Sequence, residues 1–347
     1  MSHHPSRLRL DSQALISNWR WLSAQSGNAA CGAAVKADGY GLGVREVVSS
    51  LAGAGCRDFY VATWREAEAL GAVAQGASLS VLHGLAAEDL PQALASPARP
   101  VLNTPRQVRM WHEQAKGRPC DVMIDTGINR LGLSPADVAA GLLDGLRIET
   151  VMSHLACADE DHALNERQLR LFEEIAQAVP ARRRSLANSA GICLGTRYTF
   201  DLTRPGLALY GGLPRPEAHG WIRPVVRVEA QIVQRRRAEA GEGVGYNATF
   251  VAGAPTELAI LNIGYADGYV RAFSGGVGQA RVGDTLLPVC GRVSMDLTAV
   301  DVSAAPQVQE GDWLELEYDL AAAAGRSRLS QYELLTLLGS RHERRWD

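Results

Sequence analysis

Ala33-Ala34-Val35-Lys36-Ala37-Asp38-Gly39-Tyr40-Gly41-Leu42-Gly43 is a short apolar run closed by a lysine and then broken by three glycines. Residues 31 to 35 are small or apolar, so Lys36 is predicted to leave a sheet from a dry wall. Desolvation there disfavours the ammonium and frees the amine as a nucleophile, which suits a Schiff base. The segment alone reads equally as a solvated strand-end charge before a plain turn, and the rest of the chain has to decide.

Outward from this run, the chain to Gly212 alternates short β-like stretches with helical ones, the pattern of a parallel sheet wrapped by crossover helices. Eight stretches qualify: Cys31 to Lys36, Phe59 to Thr63, Leu79 to Leu82, Pro100 to Asn103, Asp121 to Asp125, Ile148 to Ser153, Ser185 to Asn188 and Gly206 to Tyr210. Eight alternating units predict an α/β fold, a (β/α)8 TIM-like barrel. Helix starts are legible at Asp11, ahead of Ala14 to Ala24, and in Thr104-Pro105-Arg106-Gln107, with capping threonine, proline and glutamine in order. Leu164 to Ala178 is amphipathic, with Leu169, Leu171, Phe172, Ile175 and Ala176 at helical spacing.

After about Trp221 the texture changes. Val225 to Gln234, Leu258 to Ile263, Gly278 to Val282, Leu286 to Cys290, Leu297 to Val302 and Trp313 to Tyr318 read as strands with glycine-rich turns. Gly283-Asp284 marks a hairpin, and Ser330-Gln331-Tyr332-Glu333 is a capping box opening one short C-terminal helix. The division expected is a barrel over 1–222 and a mainly β C-terminal domain over 223–347.

Bulk properties narrow the partners. The chain has 347 residues, 46% of them hydrophobic and 21% charged, as in ordinary soluble globular proteins. A net charge of -3 offers no basic field for nucleic acid and no polybasic membrane patch, so a small-molecule partner is expected. The six cysteines form no CxxC pair, which argues against a zinc site or a disulfide framework, and no metal is expected. The N-terminus lacks an apolar signal segment and no run is long enough to span a bilayer, so a cytoplasmic location is expected. His3 and His4 read as a solvated terminal pair rather than metal ligands.

Catalytic groups of a barrel lie just past its strands. Lys36 and Tyr40 follow the first stretch, Arg130 the fifth, His154 the sixth and Ser189 the seventh, while Arg204 and Gly206 enter the eighth. Asn188-Ser189-Ala190-Gly191 would open a short helix with free N–H groups and a hydroxyl aimed outward, an anion site, and Gly206 would add a close backbone approach. Each taken singly is also an ordinary turn. A lysine able to form an imine, an anion site and an arginine between them together suggest pyridoxal phosphate.

The run Ala34 to Gly43 resembles the pyridoxal-phosphate attachment segment of alanine racemases, and the resemblance covers nearly the whole chain. It includes Asp125-Thr126-Gly127-Ile128-Asn129-Arg130-Leu131-Gly132, Met152-Ser153-His154-Leu155, Asn188-Ser189, Arg204-Pro205-Gly206-Leu207-Ala208-Leu209-Tyr210-Gly211, Val244-Gly245-Tyr246, Ile263-Gly264-Tyr265-Ala266-Asp267-Gly268 and Gly291-Arg292-Val293-Ser294-Met295-Asp296. The resemblance implies that Lys36 holds pyridoxal 5'-phosphate and serves as the base on the D-face, with Tyr246 as the base on the L-face. Tyr40, Ser189 and Gly206 match phosphate-binding positions. Arg204 matches the pyridine-nitrogen partner, and Arg130 and Met295 match contacts to the substrate carboxylate. His154 matches the residue linking Arg204 to Tyr246, where a cationic neighbour would lower the phenol's pKa. Tyr265 and Asp267 match a substrate-access stretch. Many members carry a carbamate-forming lysine where this chain has Met123, and no tyrosine follows Tyr332 to match a phosphate contact found in part of the family.

The implied function is interconversion of L-alanine and D-alanine for cell-wall precursors or alanine catabolism, by a homodimer with shared active sites. Three alternatives stay open at this point: a racemase of broader specificity that includes serine, a decarboxylase on a similar barrel, and a non-catalytic pyridoxal-phosphate-binding module.

Overall fold

The computed structural model describes residues 4–72 and 75–347, so His3 lies outside the described residues. Two compact units emerge. One holds residues 13–39 and 44–223; the other holds the segment ending at Ser12, residues 40–43 and everything from Pro224.

The first unit is the expected barrel. Its first strand is split into Ala30–Cys31 and Ala33–Ala34, and parallel pairing continues through Asp58–Val61, Ser78–Val81, Arg99–Leu102, Pro119–Met123, Arg147–Met152 and Arg183–Ser185. Closure falls to Leu202–Thr203, paired in parallel with Ala30–Cys31, while Arg204 N–H donates to the Ala187 carbonyl at 2.9 Å. Gly206 to Tyr210 was expected as the eighth strand and is instead a 3-10 turn over Leu207–Tyr210. Pro205 lacks the N–H a ladder needs, so the strand ends before it. The first strand likewise ends at Ala34 rather than at Lys36.

The barrel's interior is layered. Tyr60, Val101, Met123, Met152 and Leu202 form an apolar cluster, with Leu82 against it. Near the N-terminal strand ends lies a buried ionic layer. Arg183 donates twice to Asp58, at 2.6 and 3.0 Å, and Ser78 donates to Asp58 at 2.9 Å. Asp121 takes bonds from Ser80 at 2.6 Å and Arg99 at 3.3 Å. The helices begin where their caps dictate: Thr104 accepts from Gln107 N–H, with Pro105 at the first helical position. On the helix Ala163–Ala178, Asn165 and Gln168 join Leu169, Phe172, Ile175 and Ala176 on the buried face, whereas Leu171 is only half-buried.

The second unit is antiparallel. Its sheet runs in the order Thr256–Leu261, Thr298–Asp301, Thr285–Cys290, Gln279–Val282, Trp313–Leu316, Val226–Ala238. The long last strand pairs back onto the first, from Ile232↔Leu261 to Ala238↔Thr256, so the sheet closes into a second barrel. Ser6–Leu10 adds antiparallel to the front half of that strand, and Glu343–Trp346 adds parallel to Ser6–Leu10. A division at 222/223 did not anticipate this N-terminal strand. Its alternation places Leu8 and Leu10 inside and Arg7 and Arg9 outward. Two helices, not one, lie near the C-terminus: Leu320–Ser327 precedes the expected Gln331–Leu337, which opens on the Ser330/Glu333 capping box.

Candidate active site

The turn that carries Lys36 is left-handed. Ala37, Asp38, Gly39, Tyr40 and Gly41 all have positive φ, between 52° and 87°. Hydrogen bonds over-determine this conformation. Glu66 accepts the Ala37 N–H on one oxygen at 2.8 Å and the Ala62 N–H on the other at 2.6 Å, while Asp38 caps Val44 N–H at 2.9 Å. Burial, and then the positive charge of Arg130, lower the Lys36 pKa below that of an ordinary lysine. Lys36 is thus half-buried rather than fully solvated at the strand end.

Arg204, just past the last barrel strand, is buried. Its terminal nitrogens donate to Ser185 Oγ and, at 2.6 Å, to the Ser153 carbonyl. Its Nε–H has no partner among the described residues, leaving a donor for a ligand atom. His154 follows the strand Arg147–Met152. Burial and the charges of Arg204, Arg130 and Lys36 push its pKa down to about 3. That direction favours the uncharged imidazole, which can link neighbouring groups through hydrogen bonds.

Arg130 is presented by a tight loop in which one Asp125 oxygen accepts the N–H groups of Gly127, Ile128 and Asn129. All three cations, Lys36, Arg130 and Arg204, act on His154 and none is held in an ion pair among the described residues, although the carboxylates of Glu66 and Asp121 reach Lys36 and Arg204 at longer range; such a cluster suits anionic ligands.

Ser189 supplies the second element of such a site. Its Oγ accepts the N–H groups of Gly206 at 2.9 Å and Ala208 at 3.2 Å. A hydroxyl has two lone pairs and one proton, so with both lone pairs used the proton is left to donate to an oxygen such as that of a phosphate. Asn188 caps the helix that Ser189 opens.

Sequence reasoning missed Gln168. This buried amide donates to the His154 carbonyl at 2.9 Å and to Thr126 Oγ1 at 3.2 Å, and accepts from Ala156 N–H at 2.9 Å, tying together the loops that follow two strands. Its place one residue before Leu169, on the buried helix face, was the available signal. Met123, where a lysine was noted as missing, is 8% exposed and packs in the barrel's apolar cluster.

The remaining candidates lie in the β unit. Tyr40 is buried, with the ring of Tyr332 centred 6.3 Å from its own. Tyr246 opens a 3-10 turn after Gly245 and is 65% exposed; Met295 is 54% exposed. Among the described residues no cluster of His, Cys, Asp or Glu fits a metal ion, and no helix is long and apolar enough to cross a membrane.

Comparison with known proteins bears on this geometry. Residues 10–214 match the family model of the alanine racemase N-terminal domain and residues 225–346 that of the C-terminal domain. An alanine racemase of Methylobacterium nodulans is 42% identical, with 99% of this chain and 97% of the relative covered. A catabolic alanine racemase of Mesorhizobium japonicum is 40% identical, over 98% and 92%. Among solved structures, the alanine racemase of Bartonella henselae with covalently bound pyridoxal phosphate superimposes with a TM-score of 0.92 at 33% identity, with all of both chains covered. The biosynthetic alanine racemase of Pseudomonas aeruginosa gives 0.90 at 32%, with 99% of this chain and all of that one covered.

Proposed function

The chain belongs to the alanine racemase family, and from that premise we propose a residue-level account of how it interconverts L-alanine and D-alanine. The observation that carries the account is the convergence of Lys36, Arg130 and Arg204 around His154, none of them ion-paired among the described residues, in a barrel that also holds the Ser189 hydroxyl. These groups fit pyridoxal phosphate: Lys36 for attachment, Ser189, Gly206 and Tyr40 for the phosphate, and Arg204 for the pyridine nitrogen. When bound, the pyridoxal ring supplies an electron sink that acidifies the substrate's α-hydrogen.

The chain's residues do the rest. Arg130 and the Met295 N–H hold the substrate carboxylate, which orients the α-hydrogen. Lys36, whose partial burial favours the uncharged amine able to take up a proton, exchanges a proton on one face, and Tyr246 exchanges one on the other. An arginine holds its proton at every accessible pH, so Arg204 would offer a hydrogen bond to the pyridine nitrogen of a bound cofactor without giving up its proton. His154 links Arg204 to the tyrosine through hydrogen bonds.

Tyr246 and Met295 are too exposed for water-excluded chemistry, which supports a homodimer in which the β unit of one copy completes the site of the other. Six free thiols and the absence of a membrane-spanning helix among the described residues support a cytoplasmic enzyme. Its D-alanine would serve cell-wall precursors, or its activity alanine catabolism.

Two measurements test the assignment. Borohydride reduction of the yellow holoenzyme followed by peptide mapping is expected to label Lys36, and Lys36→Ala is expected to lose both the label and racemisation. A label on another lysine overturns the account. Incubation with each small L-amino acid and chiral chromatography then reads the substrate range directly.

A further inference from the structure

Met295 lies on a loop whose orientation is set from outside it. Tyr265 N–H donates to the Ser294 carbonyl and Ala266 N–H to the Met295 carbonyl, both at 3.0 Å. The Ser294 carbonyl and the Met295 N–H belong to one planar trans peptide and point in opposite directions. The Tyr265 bond therefore aims the Met295 N–H away from the 265–267 turn. No acceptor among the described residues takes that N–H. The contact is close: a Cβ on Gly264 would stand 2.3 Å from the Met295 carbonyl oxygen.

The 265–267 turn is itself held by the C-terminal segment. Asp267, 3% exposed, accepts Gly264 N–H at 2.9 Å on one carboxylate oxygen and faces Arg341 Nε at 3.3 Å on the other. The same guanidinium donates to Asp296, next to Met295, at 2.8 Å. His342, also 3% exposed, bonds through Nε2 to the Asp267 carbonyl at 2.7 Å. A carbonyl only accepts, so Nε2 carries the proton, and Nδ1 is left buried without a partner. A Cβ on Gly268 would stand 2.3 Å from the Leu337 carbonyl oxygen, so the turn is pressed against the end of the last helix as well.

We propose that Arg341 and His342 are positioning residues for substrate binding. Arg341 straps the turn to the Met295 loop through two carboxylates, and His342 pins the turn's last carbonyl. Together they fix the direction of the Met295 N–H toward the substrate carboxylate. This rests on the placement of Met295 given above. Neither residue touches substrate, and neither is needed for cofactor attachment, so their loss acts on binding before it acts on the chemical step.

The test uses holoenzyme variants with L-alanine and reads KM, kcat and cofactor absorbance separately. Arg341→Gln and His342→Phe are expected to raise KM by about fivefold or more, with kcat within about twofold and absorbance unchanged. Arg341→Lys keeps a cation for one carboxylate and is expected to fall between. His342→Gln keeps an N–H donor and is expected to recover most of the loss. If Arg341→Gln does not fold, the Lys variant and the His342 pair carry the comparison. A KM within about twofold of wild type in every folded variant overturns the brace, as does His342→Gln behaving like His342→Phe. Met295→Pro, which deletes the N–H, separates the two claims. A raised KM there with no effect at Arg341 or His342 rejects the brace alone, and no effect anywhere rejects the Met295 contact as well.

Discussion

Ala37, Asp38 and Tyr40 place side chains where the backbone favours glycine, at φ of 52°, 54° and 56°. Each such residue costs roughly 1–2 kcal/mol, and the turn persists because Glu66 and Asp38 bind its N–H groups and that of Val44. The strain lies next to Lys36, so it fixes the backbone from which the amine projects. Ala37→Gly removes a Cβ from this turn and is expected to raise unfolding stability by about 1 kcal/mol in urea, the relief being partly offset by the freer unfolded chain. Racemisation is expected to fall as the lysine's anchor loosens. A variant less stable than wild type would show that the left-handed turn is not strained at Ala37.

The barrel strands were legible because a strand buried on both faces is a short apolar run, and most of the expected runs begin or end within two residues of the observed ones. Leu202–Thr203 was not, because two residues carry no period. Ser6–Leu10 does alternate, yet its partner begins at Val226, and nothing local points there. The helix Leu320–Ser327 buries Leu320, Ala323 and Ser327, a short face in which leucine is the one large apolar side chain, and it was not read from the sequence. In the site, Lys36, His154, Ser189 and Arg204 were legible as reactive residues near strand ends, whereas Gln168 acquires its role only from loops that folding brings to it. The ionic layer was equally invisible, since Asp58 and Arg183 meet across 125 positions. Burial pulls the Asp58 pKa upward, but two bonds from Arg183 outweigh it and hold the carboxylate below its usual value. A depressed folded pKa gives stability that is complete above the unfolded value, near ~3.9, and is lost as pH falls through the folded one. Asp58→Asn leaves Arg183 unpaired and is expected to cost about 3–5 kcal/mol at neutral pH. The gap to wild type should narrow in urea titrations as pH is lowered from about 6 to about 3. A gap that stays constant would mean that the pair contributes no charge-dependent stability.

At the scale of the whole molecule, the proposed chemistry needs two bases, one in the barrel unit and one in the β unit. Tyr246 is 65% exposed and Met295 54%, and Tyr265, Val251 and Leu297 add further exposed apolar surface to the same unit. A base that exchanges a proton with a carbon acid works in a site closed to bulk water, so a second copy covering Tyr246 and Met295 would complete it. The arrangement makes a quantitative prediction. Lys36→Ala and Tyr246→Ala chains are each expected to be inactive alone. Unfolded together in equal amounts and refolded with pyridoxal phosphate, they pair at random, and half the dimers are mixed. Each mixed dimer has one site lacking both bases and one site lacking neither. Activity is therefore expected to recover to about a quarter of a wild-type sample refolded in the same way, given two-fold symmetry. Size-exclusion chromatography establishes that the refolded mixture is dimeric, and the wild-type control establishes the refolding yield. A site built from one chain contains one defect in every copy whatever its neighbour, so persistent inactivity in a dimeric, well-refolded mixture rejects the shared site, while recovery near one quarter identifies Lys36 and Tyr246 as partners supplied by different chains.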